Sequence, residues 1–177
     1  MWAWIGAFLA ASFRARYGAV PPVNAELAAF AVVAAGALGA MGGGWAADRF
    51  GRAIVTIVAM AVSGLCAACI GLLFGGPAWP LLIVSLVWGV AVIADSAQFS
   101  AAVAELSERA LIGTMLTVQT CIGFLLTLVS IQLTPILVGW VGWRYAFTFL
   151  AIGPFFGIIA MTRLRRATAA VRIAGAG

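Results

Sequence analysis

The chain of 177 residues carries hydrophobic side chains at 65% of its positions and charged side chains at only 8%. That composition excludes an ordinary water-soluble domain and is typical of a protein that crosses a membrane several times. The net charge of +5 comes from ten arginines that stand where apolar runs stop, so they indicate loop anchors and predict no nucleic-acid partner.

Six apolar runs follow one another along the chain, each bounded by charges, proline or glycine. Long runs rich in Ala, Leu and Val, without alternation, favour helices over the strands of a membrane barrel. We therefore predict an all-α, polytopic membrane bundle of six transmembrane helices over residues 1–166, followed by a tail over residues 167–177. The predicted spans are 1–13, 25–46, 53–74, 79–103, 111–138 and 145–162.

The first run is too short to cross a bilayer. Its thirteen residues rise roughly 20 Å, whereas the hydrocarbon core is about 30 Å thick. It is typical of the back end of a spanning helix whose front is missing, which would make this chain part of a larger protein. The alternative is a tilted or interfacial helix, held at the membrane surface by Trp2 and Trp4.

The arginines predict the orientation of the bundle. Alternating spans place the tail on the same side as the loops that follow the second and fourth spans. That side receives Arg49, Arg52, Arg109, Arg163, Arg165, Arg166 and Arg172, whereas the opposite side receives Arg14, Arg16 and Arg144. The positive-inside rule then puts the tail in the cytoplasm and the chain in the cytoplasmic membrane.

Glycines mark one side of the second span. Gly36, Gly39, Gly43 and Gly44 are spaced to form a groove without side chains, where another helix can approach closely. The span then ends in a tight turn before the third span starts at residue 53. Gly51 suits that turn, since glycine takes a positive φ without steric cost.

The stretch Gly44-Trp-Ala-Ala-Asp48-Arg49-Phe-Gly51-Arg52 lies at this predicted cytoplasmic turn. It resembles the G-x-x-x-D-R-x-G-R signature of the major facilitator superfamily, which joins the second and third helices of each six-helix half. Where that family often continues with Arg or Lys, this chain has Ala53. The resemblance implies a gating motif of Gly44, Asp48, Arg49, Gly51 and Arg52.

The same resemblance implies partners for these charges. Asp48 would cap or abut the start of the fifth span, near Gly113 and Thr114. Arg49 or Arg52 would pair with an acid at the cytoplasmic end of the fourth span, with Glu105 as first candidate and Glu108 as second. This network would hold the cytoplasmic side closed in one state of a carrier and release it in the other.

The fourth span holds a carboxylate well within the membrane, Asp95. Trp88, Gln98 and Ser85 lie on the same broad side of the helix. Two roles for Asp95 stay open: it takes up a proton or binds a cationic group during transport, or it is a structural partner of a neighbouring helix. With Gln119 of the fifth span, Asp95, Gln98 and Trp88 form a candidate substrate or proton pathway.

Threonines recur on one face of the fifth span, and prolines interrupt the last two spans. The threonine stripe is interpreted as helix packing or, alternatively, as substrate contact. Thr134-Pro135 and Gly153-Pro154 predict kinks, the second in the middle of the sixth span. Gly153 and Gly157 are predicted to serve helix packing. The threonines of the stripe are Thr117, Thr120, Thr127 and Thr134.

Further segments resemble the C-terminal half of a twelve-helix carrier of this superfamily: ADSAQFSAAVAEL, GTMLTVQTCIGFLLTLVSIQLTP and GWRYAFTFLAIGP. The resemblance implies transport of a small solute by alternating access, with an N-terminal six-helix half as partner. The chain would then be a fragment, or a half-transporter that pairs with a separate half or with itself.

A non-transporting structural or regulatory membrane subunit is the alternative function. The sequence offers no phosphate-binding loop and no histidine, and its acids are not spaced as a catalytic pair. We therefore expect no enzyme activity, no cofactor and no metal. The predicted partners are the bilayer, a small-molecule substrate and the complementary half.

Overall fold

The computed structural model describes residues 1–174, with side chains as far as residue 167, and over that range it is helical without a β-strand. The six helices are α1 (Trp2–Tyr17), α2 (Ala25–Phe50), α3 (Arg52–Cys69), α4 (Ala78–Leu106), α5 (Ile112–Val141) and α6 (Ile152–Ala174). Short 3₁₀ turns, Ile70–Leu73 and Thr148–Ala151, follow α3 and precede α6. The predicted all-α class is confirmed.

Five of these helices, α2 to α6, are long and apolar enough to cross a membrane. The sixteen residues of α1 rise only about 24 Å, less than the hydrocarbon thickness of about 30 Å. The chain is therefore membrane-embedded and multi-pass. Because α6 continues to Ala174, no structural break separates residues 1–166 from the described part of the tail.

Polar and glycine residues fix the ends of the helices where the chain reverses. The Asn24 side chain accepts hydrogen bonds from the amides of Glu26 and Leu27, at 2.8 and 3.0 Å, and so begins α2. Gly51 alone separates α2 from α3, with φ +89°. The expected positive φ at Gly51 is confirmed, and it permits this one-residue turn.

Glycines bring the backbones of α2 and α4 into close contact. A methyl group built on Gly39 would collide with the backbone carbonyl of Val90, and one on Gly89 with that of Val32. Gly36 and Gly43 also face α4. The predicted groove therefore exists at three of its four glycines, whereas Gly44 has no atom within 4 Å of an added methyl group.

Short α1 contributes large side chains to the core. Ile5, Phe8, Leu9 and Phe13 are buried. Phe8 packs against Phe147 with ring centroids 5.1 Å apart, and Trp88 packs against the same ring at 5.5 Å. The helix is thus a core element, which disfavours an interfacial helix lying at the membrane surface.

Helix α5 is almost uncovered by the rest of the described bundle. Thr134 is the one buried residue among Ile112–Val141. Pro135 inside α5 has no N–H, so it cannot bond the carbonyl of Ile131 four residues earlier. The indole Nε1 of Trp4 donates to that carbonyl at 3.0 Å instead, and thereby ties α1 to α5.

The proline of the sixth span lies at a helix start and not inside one continuous helix. Helix α6 begins at Ile152, which puts Pro154 in its first turn, where no intrahelical N–H bond is required. Gly157 packs against Met60 of α3, whereas Gly153 has open space around it. The packing role predicted for these glycines thus holds for Gly157.

Candidate functional site: a charged cluster at one end of the bundle

Three side chains meet where α3 begins and α4 ends, and we call them the Arg52 cluster: Arg52, Gln98 and Glu105. The Nε of Arg52 donates to Oε1 of Glu105 at 2.6 Å, and its Nη1 donates to Oε1 of Gln98 at 3.1 Å. Gln98 and Glu105 are seven residues apart, which puts them on one face of α4. One guanidinium therefore bridges two turns of the neighbouring helix.

The ends of the two helices explain why these charges pair. Arg52 is the first residue of α3, where the positive end of the helix dipole disfavours a cation. Glu105 is the penultimate residue of α4, where the negative end of the dipole disfavours an anion. Each charge thus offsets the unfavourable field at the other.

The cluster joins an exposed ion pair to a buried amide. The side chains of Arg52 and Glu105 are 31% and 57% exposed, so the pair borders on water or lipid headgroups. Gln98 is only 2% exposed, and burial makes its amide oxygen dependent on the Arg52 bond. The outer part of the cluster can open at little energetic cost, whereas the inner part stays tied to the core.

The other residues of the motif lie outside this cluster. Asp48 is exposed, and α5 begins without a side-chain cap, so the predicted capping of α5 by Asp48 is wrong. Arg49 is exposed, and its guanidinium carbon lies 5.9 Å from the ring centre of Trp45. Gly44 makes no close helix contact, and Gly51 serves the turn.

The candidate pathway residues do not gather at one point. Trp88 is buried, and its indole N–H donates to the hydroxyl of Ser63 at 3.3 Å. Gln98 belongs to the Arg52 cluster, and Gln119 accepts a 3.4 Å bond from Ser100. Three of the four side chains therefore hold helices together.

Asp95 differs from the other three. It is half-buried in the middle of α4, and within the described residues its hydrogen-bond donors belong to the adjacent Ser96, whose hydroxyl lies at 3.0 Å. No arginine contacts it within that range. A carboxylate at that depth needs a proton, a cation or more donors, which leaves Asp95 available for ligand chemistry.

The threonines of α5 bond to their own helix. The hydroxyls of Thr117, Thr127 and Thr134 donate to carbonyls four residues earlier at 2.7–2.9 Å. This arrangement favours a structural interpretation of the stripe over substrate contact.

Sequence reasoning missed three partners in these contacts, namely the donors Trp4 and Ser100 and the acceptor Ser63. Pro135 was a usable signal for Trp4, because an internal proline always frees a carbonyl four residues earlier. The two serines carry no comparable signal, since a serine in an apolar helix usually bonds to its own backbone.

No family model matches the chain, and no curated protein and no solved structure matches it either. The resemblance to the major facilitator superfamily stays a prediction that rests on the nine-residue motif and on the order of the helices.

Proposed function

We propose that this chain is the C-terminal six-helix half of a secondary transporter of the major facilitator type, which moves a small solute across the cytoplasmic membrane by alternating access. The observation that carries the proposal is the bridge from Arg52 to Gln98 and Glu105. It couples the motif turn to the end of α4, where a carrier needs a contact that holds one state and is released in the other.

The energetics of the bridge suit a releasable contact. A partly exposed ion pair contributes roughly 0–1 kcal/mol, which is small against the stability of a domain. Solute-driven movement of α4 against α3 can therefore break it. A fully buried ion pair would resist such a movement, since the loss of a partner costs about 3–5 kcal/mol.

The exposure of α5 supports the presence of a complementary six-helix half. A helix of thirty residues with one buried residue has most of its surface available to lipid and to another helical unit. We propose that α5 contributes to the contact with the complementary half, with substrate bound between the halves near the midplane. In this arrangement α1, which is shorter than the others, is the first of the six helices of the half.

Asp95 is the proposed coupling residue. It is a carboxylate inside a span whose described hydrogen-bond donors belong to Ser96, so binding of a proton or of a cationic solute would satisfy it. Neutral, amphipathic or cationic solutes are therefore favoured over multiply charged anions.

Transport is tested with the complete gene product in proteoliposomes. A panel of neutral, cationic and anionic solutes is screened with imposed proton and voltage gradients, and uptake is then measured for Glu105→Gln. We expect uptake to fall up to about fivefold, which corresponds to about 1 kcal/mol of barrier height. Glu108→Gln is the matched control, because Glu108 lies at the same helix end without a described ion pair.

Two outcomes would contradict this proposal. Absence of uptake for every solute class, with protein that is folded and correctly inserted, would favour the non-transporting membrane subunit. Equal uptake by the Glu105→Gln and Glu108→Gln variants would remove the Arg52 cluster from the mechanism.

The role of Asp95 has its own test. Asp95→Asn keeps the shape of the side chain and removes the titrating group, so we expect uptake that no longer changes with pH. Asp95→Glu should retain a pH dependence, and Ser96→Ala controls for the loss of the neighbouring hydroxyl. Unchanged pH dependence in Asp95→Asn would exclude Asp95 as the coupling group.

A further inference from the structure

An apolar groove of about 800 Å³ lies between α2 and α3, with α4 as its floor. Gly42, Ala46 and Phe50 line it on α2, Val58 on α3, and Val87 and Val90 on α4. Every residue that lines the groove is apolar. Phe50, Val58 and Val87 are about half exposed, so the groove is open to the membrane.

The length and the apolar lining of the groove suit a hydrocarbon chain. The groove follows α2 from Ala35 to Phe50, which is about 22 Å at 1.5 Å per residue. Its volume is large enough over this length for a slender occupant. A hydrocarbon chain, whose atoms pack at about 4 Å, is thin enough.

The length also matches a lipid. One leaflet contributes half of the hydrocarbon core, or about 15 Å, and the groove is long enough to hold a chain of that length. It reaches the end of α2 at Phe50, where the chain turns and the interface with water begins. A lipid tail seated in the groove would therefore place its headgroup beside this turn.

Arg49 supplies charge complementarity at this end. It lies three residues after Ala46 and seven after Gly42, which places it on the groove side of α2, with its guanidinium carbon 5.9 Å from the ring centre of Trp45. Asp48 is the nearest acid in sequence, but it lies about 100° around the helix, and Arg52 is engaged by Glu105. Arg49 is thus the charge positioned to bind a phosphate above the groove.

We propose that this groove binds one acyl chain of a phospholipid, whose phosphate pairs with Arg49. The site is separate from the Arg52 cluster and needs no transport activity. Since the lipid would contact both sides of the Gly51 turn, it would also limit the movement of α2 relative to α3.

The test is native mass spectrometry of the purified chain, titrated with phosphatidylglycerol or with a galactosyl diacylglycerol of the same acyl chains. Gly42→Phe fills the groove, and no atom lies within 4 Å of the added Cβ, so the helix itself tolerates it. We expect it to weaken binding of both lipids at least about tenfold. Gly123→Phe is the matched control, because Gly123 is equally open and lies on α5.

Arg49→Gln separates the headgroup from the tail. We expect about fivefold weaker binding of phosphatidylglycerol, equivalent to about 1 kcal/mol for one basic residue near a membrane surface, and unchanged binding of the galactolipid. Arg109→Gln, at the same end of the bundle, should change neither. If Gly42→Phe fails to fold, this comparison still decides the question.

Equal affinity of the wild-type chain for the two lipids would overturn the phosphate contact. Unchanged lipid binding in folded Gly42→Phe would overturn the groove. A chain that forms dimers in the wild type and only monomers in Gly42→Phe would assign the groove to a second copy, against the proposal.

Discussion

The α2–α4 interface and helix α5 differ in how closely they pack against the rest of the bundle. Along α2, glycines bring two backbones so close that one added methyl group at Gly39 would strike a carbonyl. Along α5, the glycines at 113, 123 and 139 have open space, and one side chain is buried. Helices α2, α4 and α5 are all apolar enough to cross a membrane, so that property does not distinguish them.

This difference shows what determines which helices associate in a bilayer. Lipid is as apolar as leucine, so a helix gains nothing from hydrophobic burial against its neighbour. Close packing and hydrogen bonds decide which helices stay together. The α2–α4 pair uses packing, whereas α5 is held by a few polar contacts, such as Trp4 to the carbonyl of Ile131.

The largest expected effect breaks the tight interface. Gly39→Leu puts a side chain into the backbone of Val90, and we expect a loss of about 3 kcal/mol or more, or failure of the bundle to assemble. Gly123→Leu on α5 should remain within about 0.5 kcal/mol, since surface substitutions away from special features cost little. Thermal unfolding in detergent compares the two, and similar melting temperatures would show that the packing contrast has no energetic meaning.

An intermediate effect tests the contact that holds α5. Trp4→Phe leaves the carbonyl of Ile131 without its donor, which we expect to cost about 1–3 kcal/mol. In the Pro135→Ala background the restored N–H of residue 135 should satisfy that carbonyl, so Trp4→Phe should cost less. A double-mutant cycle measures this coupling, with the exposed Trp140→Phe as control. A cost that is the same in both backgrounds would contradict the account of Pro135.

The smallest stability effect concerns the Arg52 cluster. Glu105→Gln should change the free energy of unfolding by no more than about 1 kcal/mol, because the pair is partly exposed. The same variant is expected to lower uptake up to about fivefold, which is an effect of the same size on a different quantity. A large loss of stability would instead make the pair a structural contact and explain lost uptake without gating.

The sequence predicts the helices better than their contacts. Apolar runs between charges locate all six helices, because helix length and hydrocarbon thickness impose the same pattern on every span. The predicted ends are off by a few residues, since α2 continues through the charged motif to Phe50 and the third run divides into α3 and a 3₁₀ turn. Gly51 was recognisable because one residue type alone suits such a turn.

Side-chain partners were less accessible to sequence reasoning. Arg52 meets Glu105 in the structure as the family resemblance implied, but Asp48 caps no helix, and Gln98 bonds to Arg52 instead of lining a pathway. Such contacts depend on the rotation of each helix about its axis. That rotation is set by packing at positions like Gly39 and Met60, and an apolar sequence without amphipathic periodicity does not encode it visibly.

The central claim is that the bond between Arg52 and Glu105 works as a releasable latch in a transporter, and exchange of its charges tests it most directly. Uptake is measured in proteoliposomes for Arg52→Glu, for Glu105→Arg and for the double variant. The account predicts a loss of about tenfold or more in each single variant and recovery of most uptake in the double variant. Full uptake in the single variants, or a double variant no better than either, would contradict it.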